Sequence, residues 1–480
     1  MDSYPFKTQS YVNGLWLDAA SGKTFPVYNP ATGEEIAAVA DMDAMDVRKA
    51  IDSAHAAWPA YRELTAGERS TLLKKWHGLI LAHREELAAL MTMECGKVLS
   101  ESLGEVDYGA SFVEWFAEEA KRTYGDVIPA PTKDKRIVVI KQSVGVVATI
   151  TPWNFPLAMI TRKVAPALAA GSPVIVKPPS ETPLTALAVA HLAELAGFPA
   201  GVYNTVTTST TSEVGKELCE NRKIRKLSFT GSTAVGKVLM NQCSSTLKKL
   251  SLELGGNSPF IVFEDADIDA AVKGAIISKF RNSGQTCVCV NRVYVQDKVY
   301  DEFMEKFARA VSGLKIGNGV DKGVQIGPLI NEKGLNKVKR HVDDAVTKGA
   351  KVITGGKQLT DLFFQPTILG DVTHSMAIAQ EEVFGPVAPV FRFSTEADVI
   401  QMANDTAYGL ASYFYSKDVA RCWRVAEALE CGIVGINEGM VSTAVAPFGG
   451  IKESGFGREG SKYGMDDFME IKYLCFGSIG

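Results

Sequence analysis

The sequence of 480 residues lacks most of what marks a metal, disulfide or membrane protein. Its six histidines, at 55, 77, 83, 191, 341 and 374, show no paired ligand spacing. The adjacent cysteines Cys287 and Cys289 have no second pair to complete a zinc set, so no metal is expected. The eight cysteines, at 95, 219, 243, 287, 289, 422, 431 and 475, are too scattered for a secreted disulfide framework and favour a reducing compartment. No apolar run reaches the ~18 to 20 residues of a membrane span. The opening MDSYPFKTQSYVNG has no basic stretch followed by an apolar one, so no secretory leader is expected and the cytoplasm is the expected location. A net charge of −4, with both signs interspersed, gives no reason to expect nucleic acid or a membrane surface as partner. Repeats, low-complexity tracts and long polar linkers are also missing, so the units of the chain should pack tightly.

What is present is alternation. RIVVIKQSVGVVATITP at 136–152 is rich in Val and Ile and predicts strand. LAMITRKVAPALAAG predicts a helix stopped by Gly171. SPVIVKPP is a short apolar run closed by prolines, hence a buried strand. TPLTALAVAHLAELAG predicts a helix with Gly197 near its end and Pro199 beyond. GVYNTVT, SEVGKELCENRKI, RKLSFTG and STAVGKVLMNQC continue as strand, helix, strand and helix. Such βα repetition implies a parallel sheet covered on both faces. A second alternating series starts near KKLSLELGG, while the first 120 or so residues are mostly helical after a hairpin-like SYVNGLWLDAASGKTFPVYNP.

Four stretches carry chemistry. FTGSTAVGK at 229–237 runs from strand through a glycine turn into a helix, whose free N–H groups suit a pyrophosphate. It nearly fits a P-loop, with Gly231, Gly236 and Lys237, but Val238 stands where Ser or Thr must hold Mg²⁺, which disfavours an NTPase. By itself it reads equally well as a plain turn. LELGGNSP at 252–259 sets Glu253 at the end of an apolar strand, where burial would raise its pKa and make it a usable base. An edge-strand glutamate facing water is the rival reading. TPWNFPL at 151–157 follows a parallel-type strand, and ligands bind at the carboxyl ends of such strands. Asn154 could donate to a developing oxyanion there, or simply cap a turn. FRNSGQTCVCVNR at 280–292 holds the two cysteines between Arg281 and Arg292.

Eight motifs together resemble the aldehyde dehydrogenase superfamily, in its order and spacing and over nearly the whole chain. They are PWNFP, KPPSETP, FTGSTAVGK, LELGGNSP, GQTC, EEVFGP, NDTAYGL and PFGGIKESGFGREG. The resemblance implies an α/β fold: a Rossmann-type parallel-sheet cofactor domain at 1–122 and 144–252, an α/β catalytic domain at 253–455, and a β oligomerisation arm at 123–143 and 470–480 that joins a homodimer or homotetramer. It implies that Cys287 attacks an aldehyde carbonyl, that Asn154 and the Cys287 N–H hold the oxyanion, and that Glu253 activates the water that hydrolyses the thioester. For the cofactor it implies Trp153, Lys177, Gly231, Ser232, Glu382 and Phe384. Many NAD-using members carry Glu where this chain has Ser180, followed by Glu181. A carboxylate repels a 2′-phosphate and a serine can donate to it, so NADP is expected, with NAD as the alternative.

Within the superfamily, FRNSGQTCVCVNR and MITRKVAPALAAG most resemble succinate-semialdehyde dehydrogenases. In that group the residues matching Arg162, Arg281 and Ser442 hold the far carboxylate of the substrate, a task suited to guanidinium forks. Structural salt bridges are the alternative for the arginines. The expected reaction is oxidation of succinate semialdehyde to succinate; glutarate semialdehyde, one methylene longer, stays open because a methylene discriminates by only ~1–3 kcal/mol. Cys289 is expected to pack as a small apolar residue; the resemblance to some semialdehyde dehydrogenases implies a redox switch with Cys287 as the alternative, for which the loop would have to bend.

Overall fold

The computed structural model describes residues 7–479. Residues 1–6 of the expected cofactor domain and residue 480 of the expected arm lie outside the described residues. The first sheet has eight strands. Its five parallel members lie in the order Tyr203–Thr205, Val174–Lys177, Val146–Ile150, Ile224–Thr230, Lys249–Glu253. The first of these in chain order, Val146–Ile150, is therefore central, and the strand order reverses beside it. In doubly wound sheets that switch point, at the carboxyl ends, is where ligands bind. The antiparallel hairpin Ser10–Val12 and Leu15–Leu17 closes one edge, and Gly455–Phe456 the other.

The helices between these strands fall where the sequence places them. Ala158–Ala170 and Pro183–Ala196 both end on a glycine at φ 88°, Gly171 and Gly197, a left-handed conformation that costs glycine little. Their buried faces, with helices Ala66–Ala82 and Leu99–Glu119, form one apolar core. The expected single strand at 136–152 is in fact two. Arg136–Ser143 belongs to a separate three-stranded antiparallel sheet with Asp126–Ile128 and Met469–Phe476. Gly145, at φ 115°, turns the chain out of that sheet and into Val146–Ile150. A Val/Ile run says nothing about which sheet a strand joins, so the run alone hid the break, and only the family resemblance, with its arm at 123–143, marked a boundary there.

The second sheet has seven strands, in the order Lys351–Thr354, Thr367–Gly370, Val387–Phe393, Val290–Gln296, Ser258–Val262, Ala411–Tyr415, Ile433–Ile436, all parallel except the first. Residues 254–257 link Glu253, the last residue of the first sheet's fifth parallel strand, to Ser258 in the second. The site described next lies at this joint. No helix among the described residues is long and apolar enough to cross a membrane.

Candidate active site

A cavity of about 320 Å³ opens at the carboxyl ends of Val146–Ile150 and Ile224–Thr230. Its wall includes Trp153, Asn154, Gly231, Ser232, Cys287, Glu382 and Phe384. Seven residues expected from distant motifs thus meet in one place.

Each wall element has a local reason. Ser232 caps the helix Thr233–Cys243: its hydroxyl accepts from the Val235 N–H, leaving the rest of the first turn aimed at the cavity. Gly231 must be bare, because a Cβ there would come within 2.4 Å of the Phe229 ring. Across the cavity Glu382 accepts from the Gly256 N–H at 3.2 Å, and Phe384 meets Trp153 edge-on with ring centres 5.5 Å apart. A polar cradle at a helix start, an acceptor carboxylate and an aromatic wall fit a dinucleotide.

Cys287 lies in the turn between helix Ile268–Phe280 and strand Val290–Gln296 and is partly buried. Burial pushes its thiol up to about 11, with Arg162 and Arg281 pulling the other way. Asn154 is buried; one Nδ2 hydrogen goes to the Gln285 carbonyl at 3.0 Å, which leaves its second hydrogen for a substrate oxygen. Gly256 packs so closely that a Cβ would lie 2.7 Å from the Cys287 carbonyl oxygen.

Glu253 is not on the cavity wall. It is 3% exposed, and neither carboxylate oxygen has a hydrogen-bond partner. Burial, then the neighbouring Glu459, hold its carboxyl well above the usual range, while Arg162 and Lys163 act in the opposite sense. Beneath it lies a cluster the sequence did not reveal. Glu459 forms ion pairs with both Arg162 and Lys163, and all three are buried. Burial would raise the Glu459 carboxyl, but the two cations keep it below its ordinary value. The Tyr108 hydroxyl lies beside Arg162; burial raises it, and the guanidinium works against that by charge and hydrogen bonding.

Arg281 is placed differently. It is partly exposed, stands over the Phe155 ring at 5.2 Å and touches Met440. No carboxylate forms an ion pair with it among the described residues. Ser442 lies half-buried in the loop that follows Met440. Cys289 is buried, with its thiol donating to the Lys279 carbonyl at 3.0 Å, and both it and Cys287 are free thiols.

Lys177 ends the strand Val174–Lys177 and is buried, which lowers its ammonium to about 8 against the pull of Glu181. Ser180 donates to Glu181 at 3.2 Å, and Glu181, not Ser180, reaches the cavity wall. Lys333 and Lys337, in the first turns of helix Glu332–Thr347, also line the cavity. Their spacing, one helical turn apart near a helix start, was the only signal available in the sequence.

The family model for the aldehyde dehydrogenase family matches residues 16–474. The succinate-semialdehyde dehydrogenase [NADP(+)] of Escherichia coli is 60% identical over 478 residues, covering 99% of each chain. A glutarate-semialdehyde dehydrogenase of Pseudomonas putida is also 60% identical, over 474 residues that cover 99% of this chain and 98% of that one. A crystal structure of an E. coli NADP dependent enzyme superposes with a TM-score of 0.98 at 59% identity, covering 98% of each chain.

Proposed function

This chain belongs to the aldehyde dehydrogenase family, and from that premise we propose that it oxidises succinate semialdehyde to succinate, with NADP as the preferred cofactor. The observation that carries the substrate is Arg281: a cation close enough to influence Cys287 that acts on Glu101 but forms no ion pair among the described residues. A substrate carboxylate supplies the missing partner. In this reading Arg162 and Ser442 assist Arg281 at the carboxylate, while Asn154 takes the aldehyde oxygen.

The Cys287 sulfur attacks the carbonyl carbon as thiolate, and the carbonyl oxygen takes the negative charge. Asn154 and the Cys287 N–H donate to that oxygen. A nicotinamide held by Trp153, Glu382 and Phe384 would supply the acceptor for the hydride that leaves the carbon. A thioester on Cys287 remains. Glu253 then removes a proton from water, whose oxygen attacks the thioester and frees the acid and the thiolate. Its raised carboxyl pKa makes it a stronger base once ionised. Desolvation likewise opposes the thiolate, with Arg162 and Arg281 acting in its favour.

The cofactor reading rests on Ser180 in place of a glutamate and on the buried Lys177 beside it. The glutarate homologue is a second reading, favoured by the equal identity to the Pseudomonas relative. We further take the three-stranded sheet, with Val127, Ile471 and Tyr473 exposed at 81%, 73% and 59%, as the surface that joins copies into a homodimer or homotetramer in the cytoplasm. Light scattering on the chain and on Ile471→Asp tests that surface; a monomer in the unsubstituted protein excludes it.

The deciding measurement is kcat/KM for succinate semialdehyde, glutarate semialdehyde and butanal with each cofactor. The reading requires the carboxylated substrates to exceed butanal by about 100-fold, the share a bidentate charge contact supplies. Equal values for butanal refute it.

A further inference from the structure

We propose that Lys97 and Glu105 are positioning residues that set the geometry of Asn154 for the reaction. The inference rests on the reading of Asn154 as the oxyanion donor.

Neither residue touches the cavity. Lys97 lies in the link between helices Arg84–Cys95 and Leu99–Glu119, just after Gly96 at φ 81°, and Glu105 lies on the second of these helices. Both are buried, at 2% exposure each, and they form an ion pair. Together they grip the turn that carries Asn154. Lys97 Nζ donates to the Asn154 carbonyl at 2.7 Å and sits 4.0 Å from the centre of the Phe155 ring. Asn282 donates to the same carbonyl at 3.1 Å. The free oxygen of Glu105 accepts from the N–H groups of Leu157 and Ala158 at 2.9 and 3.1 Å, fixing the start of helix Ala158–Ala170. The backbone from 154 to 158 is thus clamped at its first carbonyl and its last two N–H groups by one buried pair.

The clamp acts where leverage is greatest. The Asn154 side chain is anchored only through its Nδ2 contact with Gln285, and its Oδ1 has no partner. Its second Nδ2 hydrogen points where the backbone sends it. An oxyanion donor works only within a narrow distance of the developing charge, and a displacement of about 1 Å costs about 10²-fold. A buried ion pair is a poor way to add stability, since well-packed apolar residues serve as well. One that holds the carbonyl of the proposed oxyanion donor serves the reaction instead.

The test is a double-mutant cycle in the full chain. Lys97→Met keeps the length and removes the charge. Glu105→Gln keeps the shape and an acceptor for the two N–H groups, so it preserves the fold if Lys97→Met does not. Each is made alone and together with Asn154→Ala, and kcat, KM and the rate of Cys287 alkylation by iodoacetamide are measured. The inference requires kcat to fall by about 10- to 100-fold, with KM for aldehyde and cofactor and the alkylation rate within about twofold. In the Asn154→Ala background the same changes must cost less than about threefold, because their effect runs through a group already removed. Unchanged kcat in both single variants, or full additive losses in that background, overturns the positioning role while leaving the oxyanion donor in place. If Asn154→Ala alone leaves kcat unchanged, the oxyanion reading falls and the inference falls with it.

Discussion

At the floor of the site Arg162 is 1% exposed and shares a buried carboxylate with Lys163; at the rim Arg281 is partly exposed and rests on an aromatic ring and a methionine. The same side chain is used for two ends. At the floor, two cations and Glu459 carry a local charge of their own and must be balanced before any substrate arrives, because an uncompensated buried charge is costly. At the rim water screens the cation, so it can wait for its partner. A fold can therefore leave an arginine open for a ligand only where solvent bears the interim cost, and the floor is where it invests structure.

The sharpest way to break this comparison is to remove the shared counter-ion. Glu459→Leu leaves Arg162 and Lys163 buried and unpaired, and a loss of about 3–5 kcal/mol in unfolding free energy is expected by urea denaturation. Arg281→Leu should change the same quantity by less than about 0.5 kcal/mol. A Glu459 variant as stable as the starting protein would mean that the floor is not a structural unit.

The rim is broken in the opposite currency, catalysis without stability. For Arg281→Leu, kcat/KM with succinate semialdehyde should fall about 100-fold, or about 2.7 kcal/mol, while the value for butanal stays within about threefold. A parallel loss for both substrates would make Arg281 a structural residue and return the carboxylate to Arg162.

Arg281 and Arg162 could both be read from motifs in the sequence, but the ion pairs that Glu459 makes with Arg162 and Lys163 could not. Arg281 stands near Cys287 in one short stretch, so a local motif carried it. Lys163 and Glu459 are separated by 296 residues, and Lys97 and Asn154 by 57. Contacts of that range leave no periodicity, and only the folded chain shows them. The same contrast holds for the scaffold. Strands and helices around the cavity were legible because glycine and proline punctuate them, as at Gly171 and Gly197. The sheet that Arg136–Ser143 joins was not legible from residue pattern, because its partner Met469–Phe476 comes from the far end of the chain, and only the family resemblance grouped 123–143 with 470–480. Glu253 was expected as a base leaning to a buried face. The structure buries it, and places it over the Glu459 cluster instead of on the cavity wall.

A smaller effect sharpens the contrast at the nucleophile, which sits between floor and rim. Burial raises the Cys287 thiol to about 11, so the reactive thiolate is the minor form at neutral pH. A raised thiol pKa means that alkylation by iodoacetamide in the absence of ligands climbs about tenfold per pH unit from 7 to 10, with no plateau near 8.5. Saturating NADP should speed it at constant pH. A plateau below pH 9 would show that Arg162 and Arg281 overcome the desolvation.

The smallest effect concerns a third buried cation, Lys177, which unlike Arg162 has no ion pair among the described residues to hold its proton. Its ammonium titrates near 8, lowered by burial with only Glu181 in opposition. The sign follows directly: the group is charged below about 8 and neutral above it. A 2′-phosphate is a dianion at and above pH 7 and gains from that charge, whereas a ribose hydroxyl gains little. The ratio of kcat/KM for NADP to that for NAD should therefore fall by about fivefold to tenfold between pH 7 and 9.5, with the midpoint near 8 because kcat/KM reports the free enzyme. Lys177→Arg, which stays charged throughout, should flatten the profile. A ratio that does not move with pH would place the discriminating contact on Ser180, whose hydroxyl is now turned to Glu181 and must rotate to reach the phosphate.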